Sequence, residues 1–193
     1  IPKENLMVIY AGTHGKANGL DNVINMASVL RDLNRTDISI VLIGNGSEKE
    51  RLKARITSEK LANVVFLDPI PKEELVGIFE DADIGLQVLE DIPAFYYGTS
   101  PNKFFDYLAS GLPVITNYAG WVADLIDEYD CGISIPSKSP IKFAEALCFY
   151  ADNRRFLPKL SERAYQLGRD KFDRKILAEK FIALLTDERL GKS

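Results

Sequence analysis

The chain has 193 residues, 46% of them apolar, and 24 basic against 28 acidic side chains give a net charge of −4. At roughly 150 residues per domain this is one large domain with enough chain to bury a core, and the negative balance argues against a nucleic-acid partner. No apolar run approaches the ~18 residues of a membrane span, and one histidine with two cysteines argues against a metal site, so neither metal nor cofactor is expected.

Leu6 to Ala11 is an apolar run ended by Gly12, which predicts a short buried strand. Gly12, Gly15 and Gly19 punctuate the loop that follows. Leu20 to Leu33 then carries apolar residues at helical spacing (Val23, Ile24, Met26, Ala27, Leu30). Ile38 to Ile43 reads as a second buried strand, closed by Gly44 and Gly46, and Ser47 to Ile56 as a charged helix. Val64 to Leu67 and Ile84 to Val88 are further strands, with a helix from Lys72 to Phe79 between them. A helix from Ser100 precedes a strand opening at Pro113 and Val114-Ile115. Trp121 to Ile126 is helical, Gly132 to Ile135 a sixth strand, and Ser139-Pro140 starts a helix over Ile141 to Tyr150. Two more helices fill Arg154 to Arg169 and Asp173 to Leu185. Cys131 precedes a strand and Cys148 lies in a helix, so two buried free thiols are expected rather than a disulfide, in a reducing compartment.

Strands that alternate with helices and are apolar almost throughout indicate a parallel sheet covered on both faces. Right-handed crossovers make it doubly wound. The expectation is a single α/β domain over residues 1–193, Rossmann-like, with six parallel strands. Ligands of such sheets bind beyond the carboxyl ends of the strands. The loops at Gly12, Gly44, Ser100 and Asn117 to Gly120 all follow strands, so they gather on that edge.

The stretch Tyr97 to Gly120 organises the site. Ser100 suits an N-cap and Pro101 the first helical position. The N–H groups of Asn102 and Lys103 are then free, and a helix start of this kind attracts anions. Phe104, Phe105, Leu108 and Ala109 are apolar at helical spacing and should face a core, and Gly111 closes the helix. Asp106 is an acid inside that apolar pattern, one turn beyond the amides. Amides for a phosphate beside a carboxylate for hydroxyls suit a nucleotide. Gly12, Thr13, Gly15 and Lys16 read either as a backbone cradle for a diphosphate, with Lys16 adding charge, or as a ligand-free glycine turn. His14 is a solvated loop side chain or a functional one. Trp121 is core or interface, and Glu48 to Arg51 is a solvated helix face.

At these residues the chain resembles the carboxyl-terminal, donor-binding half of a retaining glycosyltransferase of the two-Rossmann-domain (GT-B) type, in its large fourth family. The features run in order: Gly12 to Leu20; Ile43-Gly44-Asn45-Gly46; Asn63 to Phe66 with Pro71 and Leu75; Ala82-Asp83; Phe105 to Ala109 with Gly111 and Pro113; and Gly120 before Asp124. Ser100 to Lys103 is similar to a subgroup that builds bacterial surface polysaccharides. The resemblance implies that Asp106 meets the ribose hydroxyls, that the amides of Asn102 and Lys103 meet the distal phosphate, and that Val65 and Phe66 lie beside the base. Gly98 stands where the family often has a second glutamate. Thr13 and Asn18 stand where it has Arg and Lys, so Lys16, Lys103 or His14 must meet the diphosphate.

The expected donor is a uridine-linked nucleotide sugar. Lys16 and Lys103 are the candidate catalytic groups, stabilising the leaving diphosphate. The acceptor is a growing surface polysaccharide or a lipid-linked sugar. Ile1-Pro2 reads like a cut in a longer chain whose amino-terminal acceptor domain is absent. The fragment should therefore bind donor and transfer nothing. A cytoplasmic place is expected, at the inner face of a membrane through that missing domain. The apolar terminal helix around Leu177, Phe181, Ile182, Leu184 and Leu185 should be exposed or covered by a second copy in a dimer. The rival readings are a nucleotide-sugar epimerase of the same fold and a non-catalytic nucleotide-binding module.

Overall fold

The computed structural model of the chain describes residues 1–186. Six strands, β1 (Leu6–Ala11), β2 (Ile38–Ile43), β3 (Val64–Leu67), β4 (Ile84–Gln87), β5 (Val114–Thr116) and β6 (Gly132–Ser134), form a wholly parallel sheet in the order β3-β2-β1-β4-β5-β6. The helices are α1 (Leu20–Asp32), α2 (Lys49–Ser58), α3 (Lys72–Asp81), α4 (Pro93–Gly98), α5 (Asn102–Ala109), α6 (Trp121–Tyr129), α7 (Pro140–Asp152), α8 (Leu157–Phe172) and α9 (Arg174–Thr186). Among the described residues no helix is long and apolar enough to cross a membrane.

The apolar runs explain the layers. Every residue of β2 is buried. Ile38, Ile40 and Leu42 join one core with α1, α2 and α7, while Val41 and Ile43 join a second with α3, α5, α6 and α8. Only a strand covered on both faces can afford apolar residues at successive positions. β1 and β2 pair along their whole length and end together, Ala11 opposite Ile43. The chain winds outward from β1 to β3, then returns to place β4 on the other side of β1. That reversal opens the crevice where ligands of such sheets sit.

Several details correct the sequence reading. Pro101, not Ser100, is the N-cap of α5: its ψ of 110° is extended, and no side chain caps the helix. Ser139 does hold the N-cap position of α7, again without a side-chain hydrogen bond. Ala109 is exposed rather than in the core, and Tyr107 takes the buried place beside Phe104 and Leu108. A short helix, α4, fills what reads as turn. Both cysteines are free, but only Cys131 is buried, Cys148 being half-buried on α7. Leu177, Phe181, Ile182, Leu184 and Leu185 on α9 are exposed, as expected from their sequence.

Candidate functional site

The carboxyl edge of the sheet is built from two loops locked together and one helix start aimed at them. The loops after β1 and β2 touch through backbone. Gly12 N–H donates to Ile43 O at 2.9 Å, His14 N–H to Asn45 O at 2.9 Å, and Glu48 N–H to His14 O at 2.9 Å. A Cβ on Gly44 would stand 1.9 Å from Gly12 O, and Gly44 has φ of +141°, so only glycine fits there. The 3-10 turn at Lys16–Asn18 is pressed in the same way onto the loop after β4. A Cβ on Gly19, whose φ is +58°, would lie 2.6 Å from Glu90 N.

Lys49 fastens this corner. It is 2% exposed, and its ammonium donates to Gly44 O at 2.7 Å, Leu67 O at 3.2 Å and Asp68 Oδ1 at 2.8 Å. Glu48 to Arg51 is therefore not a solvated face throughout, because its lysine points inward and ties the ends of β2 and β3. Arg51 behaves as expected, pairing at the surface with Asp21 and Glu48. His14 is fully buried rather than solvated. Its ring packs edge-on against Phe66 at 5.4 Å and lies 6.0 Å from Tyr10, and neither ring nitrogen has a hydrogen-bond partner. Burial pushes its pKa below the usual 6.5, and Lys49 and then Lys53 add to this while the Ile43 carbonyl opposes it. His14 is thus held neutral.

α5 faces these loops with its N-terminus. Its first internal bond is Phe104 N–H to Pro101 O at 3.0 Å, so the amides of Asn102 and Lys103 come before any helical pairing and remain available, as any helix start provides. Lys103 runs inward along the Gly12 backbone. Its Cε lies 3.0 Å from where a Gly12 Cβ would stand, and its ammonium is 5.1 Å from the Tyr10 ring centre. Loss of water holds its pKa down at about 8, and no carboxylate among the described residues offsets that loss. Tyr107, one turn on, fixes the helix to the sheet. Its hydroxyl accepts from Ala11 N–H at 3.1 Å and faces Leu86 O at 3.5 Å. Asp106 lies on the flank of α5, partly exposed, with Lys72 Nζ of α3 at 2.8 Å.

The edge therefore brings together Gly12, Asn102 and Lys103, with Asp106 one turn away on α5. Phe66 is half-buried behind His14, while Val65 is exposed on the edge strand. Thr13 and Ser100 are exposed on the rim, and the Thr13 carbonyl accepts from Tyr10 OH at 2.8 Å. Gly15 and Lys16 line a separate cavity of about 340 Å³ on the α1–α2 side, together with Asp21, Glu48, Arg51 and Glu90. Lys16 is exposed there. Sequence reasoning missed Lys49, Tyr107 and Lys72. Tyr107 was within reach of helical spacing, since Phe104, Tyr107, Leu108 and Gly111 share one face. Nothing in the sequence sets Lys49 or Lys72 apart from solvated lysines.

The fold is thus a doubly wound α/β sheet whose switch point carries free helix amides and, among the described residues, a lysine without a counter-charge. Residues 1–167 match the pattern of the "Glycosyl transferases group 1" family, and the chain belongs to that family. It is 26% identical over 183 residues to WcaI of Escherichia coli (strain K12), named for glycosyl transfer in colanic acid biosynthesis, with 94% of this chain and 43% of that protein covered. The chain thus spans less than half the length of this curated relative. Among solved structures it is similar in fold to sucrose-phosphate synthase of Thermosynechococcus elongatus, with a TM-score of 0.82 at 16% identity, covering 100% of this chain and 47% of that one. It is also similar to Anabaena HepE crystallised with UDP-glucose, with a TM-score of 0.79 at 14% identity, covering 94% of this chain and 49% of that one. Both likenesses agree with the six-stranded parallel sheet described above.

Proposed function

We propose that this chain is the donor-binding half of a glycosyltransferase that uses a uridine diphosphate sugar. The observation that carries the reading is Lys103. Stripping water from an ammonium is costly unless an anion replaces it, and here no carboxylate does. The free amides of Asn102 and Lys103 stand at the same helix start as that ammonium, so a diphosphate held there would meet both. Asp106 lies one turn further along the helix, where ribose hydroxyls can donate to it. Family membership and the UDP-glucose bound to HepE support the choice of donor.

In this reading the diphosphate is both the handle and the leaving group. Negative charge grows on its distal oxygens as the sugar departs, and prearranged amides and Lys103 stabilise it there. Lys16 lines the separate cavity beside α1 and α2, so this reading rests the side-chain charge on Lys103. Transfer with retention of configuration, and delivery to a surface polysaccharide or lipid-linked acceptor, belong to the same proposal, and the colanic acid name of WcaI supports the polysaccharide part. The acceptor sits on a second domain, at the cytoplasmic face of a membrane. Without that domain the reactants are not held together, which removes up to about 7–11 kcal/mol of barrier lowering, so this chain binds donor without turning it over.

Trp121 provides the test. It is the only tryptophan, and its Nε1–H donates to Thr99 O at 2.9 Å, next to the start of α5. Titration with uridine diphosphate should change Trp121 fluorescence and give tighter binding than uridine alone. No fluorescence change and no calorimetric heat with uridine diphosphate or its sugars would overturn the assignment.

A further inference from the structure

We infer that Lys72, the first residue of α3, is a positioning residue that sets Asp106 for the ribose and so makes the site choose ribonucleotides over 2′-deoxyribonucleotides; this rests on the donor-site reading above. Asp106 and Lys72 come from elements that reach the sheet edge separately. Lys72 follows the segment 68–71 that leaves β3, and Asp106 lies on the flank of α5. The ion pair at 2.8 Å closes the gap between them. Lys72 is 70% exposed and Asp106 33%, so water screens the pair and it contributes little to folding. A contact that does little for the fold, placed beside a binding group, is better explained by what it does to that group.

Two consequences follow from the chemistry. Lys72 holds Oδ1, which fixes the plane of the carboxylate and leaves Oδ2 to accept from a sugar hydroxyl. An unpaired carboxylate rotates freely and loses part of its directional preference. Lys72 also offsets the charge of Asp106. A bare carboxylate one helical turn from a bound diphosphate would repel it, and an ammonium on the carboxylate removes that conflict.

The test compares affinities of the 193-residue chain for uridine diphosphate and for its 2′-deoxy form. A hydrogen bond to a charged group corresponds to roughly a ten- to hundredfold preference, so the unaltered chain should favour the ribose form by at least about tenfold. Lys72→Met should reduce that ratio to within about threefold, and Lys72→Arg should keep most of it. Lys72→Met should weaken pyrophosphate binding as well, through the lost charge offset, but that loss is common to both nucleotides and cancels in the ratio, while an unchanged urea midpoint shows that the fold is intact. A ratio unchanged in Lys72→Met, or tighter ribose binding once Lys72 is gone, overturns the inference while leaving the donor site standing. If the unaltered chain binds neither nucleotide, the donor-site reading falls and takes this one with it. If it binds both equally, Asp106 does not read the ribose, and the inference fails with the diphosphate site still supported.

Discussion

Two lysines sit within the same sheet edge in opposite circumstances. Lys49, at the start of α2, gives its three protons to Gly44 O, Leu67 O and Asp68. Lys103, at the start of α5, has the Tyr10 ring and the Gly12 backbone beside it and no counter-charge. The first is a closed tie that holds the β2 and β3 ends in register. The second carries a charge the protein itself leaves uncompensated. At this edge the partners of a cation, more than its depth, separate a group that serves the fold from one that awaits a ligand.

The largest effect should come from opening the closed tie. Lys49→Met leaves the inward Gly44 carbonyl without a donor, while Leu67 O keeps the Gly44 N–H at 3.2 Å. Asp68 is 92% exposed, so its share of the ion pair is screened and the loss rests chiefly on Gly44 O. A cost of roughly 2–4 kcal/mol in stability is expected, read as a lower urea midpoint. An unchanged midpoint would break the contrast by showing that Lys49 is not needed by the fold.

Lys103→Met should do the reverse. Stability should hold or rise, because a desolvated charge is gone, while affinity for uridine diphosphate should fall by about 1.5–3 kcal/mol and that for uridine much less. Equal losses for both ligands in calorimetry would show that Lys103 does not meet phosphate. The pH dependence sharpens the point. The folded pKa is about 8 against roughly 10.4 unfolded, so the unfolded chain holds more protons between those values. The stability penalty from Lys103 is therefore full below pH 8 and fades as pH rises toward 10.4. Diphosphate affinity runs the other way, weakening as pH rises through 8, because a neutral lysine no longer attracts it. Lys103→Met should remove both trends.

The fold was legible where strands are apolar runs closed by glycine or by a polar turn residue. Leu6–Ala11, Ile38–Ile43 and Val64–Leu67 are cases where such a run left no choice of ends. The helix start at the sheet edge was legible in part, since Asn102 and Lys103 follow a proline and precede an apolar helical face. Three features were not. α4 has only Phe95 and Tyr96 half-buried, too few to write a helical period. Pro101 is equally acceptable at N-cap or N1, and its ψ of 110° places it at the N-cap. Lys49 sits in a run of charges that reads as solvent-facing, and its inward turn depends on the carbonyls of Gly44 and Leu67, which meet only once β2 and β3 have paired.

His14 puts the contrast to its hardest test, with the smallest effect at neutral pH. It is buried and its ring nitrogens lack partners, so by the rule of partners it should await a ligand as Lys103 does. Its charge state separates the two. Lys103 keeps a charge that calls for an anion, whereas His14 is neutral at pH 7 and packed against Tyr10 and Phe66, so what it leaves unmet is one N–H and one lone pair rather than a charge. Lys49 and Lys53 from α2 disfavour its charge, the Ile43 carbonyl at the end of β2 favours it, and the Tyr10 ring lies beside it. Burial and the two lysines outweigh the one carbonyl. Because its folded pKa lies below 6.5, the unfolded chain takes up the proton first as pH falls. Stability is then lost below about pH 6.5 with a slope of up to about 1.4 kcal/mol per pH unit, and protonation of the folded form ends that loss at lower pH. His14→Leu fills similar space without a titrating group. At pH 7.5 it should leave both urea midpoint and uridine diphosphate affinity nearly unchanged, and it should flatten the acid limb of stability against pH. If affinity for uridine diphosphate falls at pH 7.5 while the midpoint holds, His14 touches the ligand, and an unpartnered group at this edge marks a binding contact whether or not it is charged.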